Sequence, residues 1–213
     1  MSWPTRDHMV RPRFARLAPA QQQAILNAAL DEFAARGFHD ASLNRVIEAA
    51  GISKGSMYYY FDGKEDLYAH LVRAELERLF ANLEPFPIPR EADPDSFWAT
   101  LTAHAVRLMT ALAASPQLAA LLRGWVAVSG NPTLQQAQRE MEQAVVPWLE
   151  QALAAGQSIG AVRTDLPSGL LIAVVAGMGQ AIDFWLLTQQ PDNSDLPRLV
   201  GVLIGMIRRA LEP

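Results

Sequence analysis

The chain has no cysteine in 213 residues. That excludes disulfide frameworks, thiolate zinc sites and cysteine nucleophiles, and it fits a reducing compartment. The amino terminus shows no long apolar run behind a basic start, so secretion is not expected and a cytoplasmic protein is. Runs of alternating β-branched residues long enough for a strand are missing as well. What remains is an all-α fold of about nine helices, and 50% hydrophobic residues supply ample core. No repeat or low-complexity segment stands out. His8, His39, His70 and His104 lack metal-ligand spacing, no Gly-x-Ser-x-Gly occurs, and Gly177-Met178-Gly179 lies inside an apolar helix instead of after a strand. Neither an enzyme, nor a metal centre, nor a cofactor is expected.

Positive charge is also short overall: the net charge is −4. Its distribution is uneven. Residues 1–64 hold eight Lys or Arg against six Asp or Glu, while residues 65–213 hold ten against sixteen. The first sixteen residues set Arg6, Arg11, Arg13 and Arg16 against Asp7 alone. A basic head on an acidic body suits contact with phosphates. For residues 1–18 two readings fit, a disordered tail or a flexible basic arm lying along phosphates or in a minor groove.

What the chain does have is the stretch Ser42 to Leu67, SLNRVIEAAGISKGSMYYYFDGKEDL. Ser42 is a good N-cap, and Leu43, Val46, Ile47 and Ala50 recur at helical spacing. Gly51 can close that helix in the left-handed conformation, and Ser53 is the next N-cap. Two helices joined by so short a Gly-containing turn form a helix-turn-helix, whose second member can enter a major groove about 12 Å wide. That second helix, 54–60, carries Lys54, Gly55, Ser56 and the run Tyr58, Tyr59, Tyr60. Three consecutive tyrosines point in three directions, so some must present phenols able to meet phosphates, sugars or bases. A partly buried aromatic helix with solvated ends would also carry tyrosines, but the capped helix and tight turn upstream favour the DNA reading.

Around this unit, Pro19 opens a supporting helix with the apolar stripe Ile25, Leu26, Ala29, Leu30 and Phe33, ending near Gly37, and Phe38 is expected to pack back beneath it. Lys64, Glu65 and Asp66 open a fourth helix. The acidic pair suits its positive end, whereas Lys64 does not, which a nearby phosphate would explain. Pro85, Pro87 and Pro89 end that helix and mark the clearest boundary in the chain. Beyond it lie about five helices, lined by Phe97 to Leu112, by Leu121 to Trp125, by Leu134 to Ala152, by Leu166 to Gln190 and by Leu196 to Leu211.

Residues 20–67 resemble the amino-terminal domain of the tetracycline-repressor (TetR) family of bacterial transcriptional regulators. The resemblance rests on Ala49-Ala50-Gly51-Ile52-Ser53-Lys54-Gly55-Ser56-Met57-Tyr58-Tyr59-Tyr60-Phe61 followed by Lys64-Glu65-Asp66-Leu67. It implies a basic arm (1–18), a three-helix DNA-binding domain (19–66) and a helical effector-binding and dimerisation domain (67–213), the last with a connecting helix (67–84) and a linker (85–95). By position, Ser42 and Lys64 would hold phosphates, Lys54, Gly55, Ser56 and Tyr59 would approach bases, and Tyr58 and Tyr60 would grip the backbone. Arg45 joins this DNA-facing set, and Phe61 would be core. Ser42 and Ser56 stand where Thr is common, and Ile47 where a small Ala is frequent. The implied protein is a homodimeric, ligand-responsive repressor of a palindromic DNA operator.

Gly169, Ala173, Gly177 and Ala181 recur every four residues and Gly201 and Gly205 repeat the device, so another backbone can pack closely there. This is either contact within one subunit or a dimer interface. Gly169 to Leu187 is also nearly long enough to span a bilayer at roughly 20 residues. Asp183 would cost about 2.5–3.5 kcal/mol at mid-membrane and no Lys or Arg cluster flanks the segment, which argues against a span. Trp98, His104, Trp125, Met141, Trp148, Met178, Gln180 and Asp183 are candidates to line a pocket for a hydrophobic effector, each with plain core or a local pairing as its alternative. A helical architectural DNA-binder with a solid body would fit without an effector.

Overall fold

Prolines open the helices of this protein. In the computed structural model, which describes residues 12–83, 93–127, 130–189 and 194–213, ten α-helices and no strand occur among those residues: α1 (Pro12–Ala15), α2 (Pro19–Asp40), α3 (Leu43–Ala49), α4 (Lys54–Tyr60), α5 (Lys64–Ala81), α6 (Pro94–Ala113), α7 (Pro116–Ala127), α8 (Pro132–Ser158), α9 (Ser168–Gln189) and α10 (Leu196–Leu211). Five of the ten start on proline, where the missing N–H has no intrahelical partner to lose. Gly37 bends α2 with φ of 69°, and Gly51 closes the turn after α3 with φ of 65°. Both lie in the left-handed region that a side chain disfavours.

The all-α expectation is borne out. The arm expected over 1–18 is structured from Pro12 onward, and its earlier part lies outside the described residues. So does most of the linker expected over 85–95, although Asp93 already caps α6 by accepting the Ser96 N–H at 2.9 Å.

Two compact units result. Among the described residues, one contains 12–79 together with 115–127 and 130–141, because α7 packs along α2. Its centre is aromatic: the Tyr68 ring lies 4.7 Å from Phe33, 5.1 Å from Phe38 and 5.8 Å from Trp125. The Tyr68 hydroxyl donates to the Leu121 carbonyl at 2.8 Å, and burial pushes the phenol pKa upward. The other contains, among the described residues, 80–83, 93–114, 142–189 and 194–213. There α10 packs on α6, over a core of Phe97, Trp98, Leu153, Ala161, Val162, Leu171 and Leu211.

Candidate nucleic-acid interface

The turn between α3 and α4 is built by backbone. The N–H groups of Ala50 and Gly51 reach back to Val46 and Glu48 at 2.9 and 3.1 Å, and Ile52 reaches Ile47 at 3.2 Å. Ser53 then caps α4, its hydroxyl oxygen accepting the Ser56 N–H at 3.0 Å and lying 2.8 Å from the Ser56 hydroxyl. Beneath, Val46 and Met57 are fully buried and Phe61 is 1% exposed. The outer side carries Lys54, Gly55, Tyr58 and Tyr59, with the two tyrosines 48% and 45% exposed. Tyr60 is half-buried, turned toward Phe14 with ring centroids 6.1 Å apart. Nothing inside the fold requires a glycine at 55, since a Cβ there would meet nothing closer than the Ser53 hydroxyl at 3.7 Å.

Three of the residues expected to face DNA also make contacts within the frame. Ser42 occupies the N-cap position of α3, but its hydroxyl makes no cap bond, and its N–H donates to Glu32 Oε1 at 2.8 Å. Arg45 pairs with the same carboxylate at 2.6 Å and donates to the Asp40 carbonyl at 2.9 Å. The Arg45 hydrogen bond, opposed by partial burial and aided by the Ser42 N–H, holds the Glu32 carboxyl below its usual range. Lys64 donates to the carbonyls of His39 and Ala41 at 2.9 and 3.2 Å and lies 4.8 Å from the Phe38 ring centroid. The carbonyls that close α2 thus give Lys64 partners within the fold at the start of α5.

Three side chains that shape the domain escaped the sequence reading: Glu32, Tyr68 and Phe14. Phe14 was the legible one, a large apolar residue among arginines. It is 2% exposed, with its ring 4.9 Å from Phe61 and 5.2 Å from His70. Burial, with the Arg73 charge adding to it, pushes His70 down to about 4, and its Nδ1 has no hydrogen-bond partner among the described residues. The folded protein thus keeps His70 neutral while the unfolded chain protonates it below about 6.5. Stability is full above that pH and falls as pH drops toward 4, by about 2–3 kcal/mol at pH 4.5. Urea titrations at pH 7.5 and 4.5 should show His70→Phe losing that much less than the parent. Equal losses in both proteins would contradict it.

The body candidates divide between the two units. Trp125 and Met141 are buried in the first unit, and the others belong to the second. There Trp98 donates to the Ala161 carbonyl at 3.3 Å, His104 is 1% exposed with Nδ1 3.3 Å from Arg107, and Gln180 donates to Glu142 at 3.0 Å. Trp148 and Met178 are half-buried. Asp183 is open to solvent by area, yet crowding around its carboxyl pushes its pKa up to about 6, leaving it charged at neutral pH. An open hollow of about 470 Å³ between α6 and α10 takes only Trp98 of that set, with Gly201, Gly205 and the ion pair of Arg208 and Asp95 at 2.7 Å.

Helix α9 buries Leu171, Leu186 and Leu187 but exposes Leu170, Val174, Phe184 and Trp185, and α10 exposes Val202 and Met206. Gly169, Ala173, Gly177 and Ala181 lie exposed as well. A Cβ on Gly169 or Gly177 would meet nothing within 4 Å, so packing inside the chain does not call for these glycines. Ser168–Gln189 is long and apolar enough to cross a membrane. Among the described residues no group of three His, Asp or Glu side chains could hold a metal ion.

Residues 25–71 match the family of bacterial regulatory proteins called tetR. The transcriptional regulator RutR of Escherichia coli K12 is 43% identical over 72 residues, 34% of each chain, and YdgC of Bacillus subtilis is 41% identical over 51 residues, covering 24% of this chain and 26% of that protein. The match thus spans about a third of the length of the first relative and a quarter of the second. Among solved structures, FadR of Bacillus subtilis, in complex with stearoyl-CoA, superposes with a TM-score of 0.66 over 89% of this chain and 99% of that one at 21% identity. NalD, a repressor of a multidrug efflux pump in Pseudomonas aeruginosa, gives 0.65 over 91% and 97% at 17% identity. These curated relatives are regulators, not enzymes, and the structures share the fold across nearly their whole length. Residues 25–71 thus match the tetR family of bacterial regulatory proteins, and the helical fold is the one these solved regulators share.

Proposed function

We propose that the protein is a cytoplasmic, homodimeric repressor that reads a palindromic DNA operator through α4 and is released by a small hydrophobic effector. The observation that carries this reading is the outer side of α4: two tyrosines near half exposure, a lysine, and a glycine the fold does not need, all fixed from below by Met57 and Phe61. Lys54, Gly55, Ser56, Tyr58 and Tyr59 face DNA in this reading. Tyr60 faces it in part, while Ser42, Arg45 and Lys64 act mainly by holding α3 and α5 in place. The apolar, glycine-bearing outer side of α9 and α10 supports pairing with a second copy. A helix apolar all round needs cover on every side, and two heads about 34–36 Å apart match successive turns of a palindrome. RutR and NalD are named as regulators of transcription, and FadR was solved with stearoyl-CoA. A ligand of that apolar kind would release DNA only by binding one arrangement of the two heads better than the other.

Binding of the purified protein to its own upstream region, against a scrambled duplex at several salt concentrations, tests the reading. A salt-sensitive complex that prefers the upstream region is expected, and its absence would sink the proposal. Tyr59→Ala should cut that preference about tenfold or more with little change in binding to scrambled DNA. A uniform loss on both duplexes would assign Tyr59 to the phosphates instead. A thermal-shift screen with long-chain acyl thioesters and other apolar molecules tests the effector.

A further inference from the structure

We infer that Arg13 is a positioning residue for Tyr59, anchored by Phe14, and that the amino-terminal turn is therefore part of the sequence-reading surface. This rests on the DNA-reading role of α4. Phe14 is the anchor. Its ring sits among Phe61, Tyr60 and His70 at 4.9, 6.1 and 5.2 Å, which ties α1 to α4 and the start of α5. The neighbouring residue is thereby delivered to one place: the Arg13 guanidinium carbon lies 3.8 Å from the Tyr59 ring centroid.

Tyr59 is held from two sides. The cation covers one face, and the Tyr60 ring meets Tyr59 at 74° with centroids 5.6 Å apart. An exposed tyrosine otherwise explores several rotamers, and fixing it before DNA arrives removes that ordering cost from binding. A guanidinium does this better than an ammonium, because its plane can lie flat on the ring. The arginine thus acts on sequence preference through Tyr59. A plain phosphate contact would strengthen binding to every duplex alike.

The test compares Arg13→Ala, Arg13→Lys, Tyr59→Ala and the Arg13→Ala/Tyr59→Ala double variant, each titrated with the upstream duplex and a scrambled duplex of equal length. Arg13→Ala should lower the preference about three- to tenfold with an unchanged melting temperature, Arg13→Lys should recover it only in part, and the double variant should discriminate no worse than Tyr59→Ala. Additive losses, or an equal loss on both duplexes, would overturn the proposal. If the parent protein discriminates between no duplexes, the DNA reading itself fails, and a DNA-free measurement still decides the positioning. With tyrosine rings ¹³C-labelled, the chain shows only four residues, and Arg13→Ala should shift the Tyr59 ring signals more than those of Tyr58 and Tyr68. An unchanged Tyr59 signal would overturn it.

Discussion

A Phe184→Glu/Trp185→Glu variant is expected to sediment as a monomer and to bind its operator on the order of a hundredfold more weakly than the parent. The two rings are 49% and 45% exposed in the single chain, on a helix that also exposes Leu170 and Val174 and carries glycines with no internal neighbour. Pairing two such faces would bury them, and the substitution would then bring four carboxylates together in an apolar seam. Like charges there repel and lose hydration at once. Without the pair, one reading head remains per molecule, and the gain from holding two heads on one duplex disappears. Sedimentation at micromolar concentration checks the first half and a duplex titration the second. A variant that stays dimeric would place the interface elsewhere. One that becomes monomeric and still binds with parental affinity would separate dimerisation from DNA reading.

Gly156→Ala is expected to destabilise the protein by about 2–4 kcal/mol, against the usual sign for this exchange. In an open helix, alanine is favoured over glycine by about 1 kcal/mol. Near the end of α8 the added Cβ would stand 2.5 Å from Val162 Cγ2 and 2.8 Å from Phe97 Cζ, and both residues are almost fully buried. Neither can withdraw without disturbing the cluster that includes Trp98, Leu153 and Leu171. Urea unfolding reads the effect as a lower midpoint at unchanged slope. A midpoint equal to or above that of the parent would show that this core yields where it looks rigid.

Much of the reading unit was legible because local chemistry decides it. The Gly51 turn, the Ser53 cap and the supporting helix opened by Pro19 follow from backbone and capping preferences that act over a few residues, whereas the buried Phe61 came only from the family resemblance. The frame contacts of Lys64 were not legible, for a matching reason. Its partners, the carbonyls of His39 and Ala41, lie 25 and 23 residues away in sequence, and no local pattern announces them. The same holds for Glu32, whose carboxylate fixes Ser42 and Arg45 across the α2–α3 junction. Tyr68 sits next to Leu67 in a helix whose spacing was read correctly, yet its partner is the Leu121 carbonyl on α7. The residues expected to line an effector pocket were least legible. Tryptophans and methionines at helical spacing mark any core, and Trp125 and Met141 fell into a different compact unit from Trp98 and Trp148.

The chain has only two lysines, Lys54 and Lys64, and this gives the most direct test of DNA reading by α4. Amine acetylation followed by mass spectrometry should be run on free protein and on protein saturated with its upstream duplex. Lys54 is exposed, whereas Lys64 already donates to two carbonyls. The expected result is that DNA suppresses acetylation of Lys54 severalfold and leaves the slower acetylation of Lys64 nearly unchanged. Equal labelling of Lys54 with and without bound DNA would contradict the account.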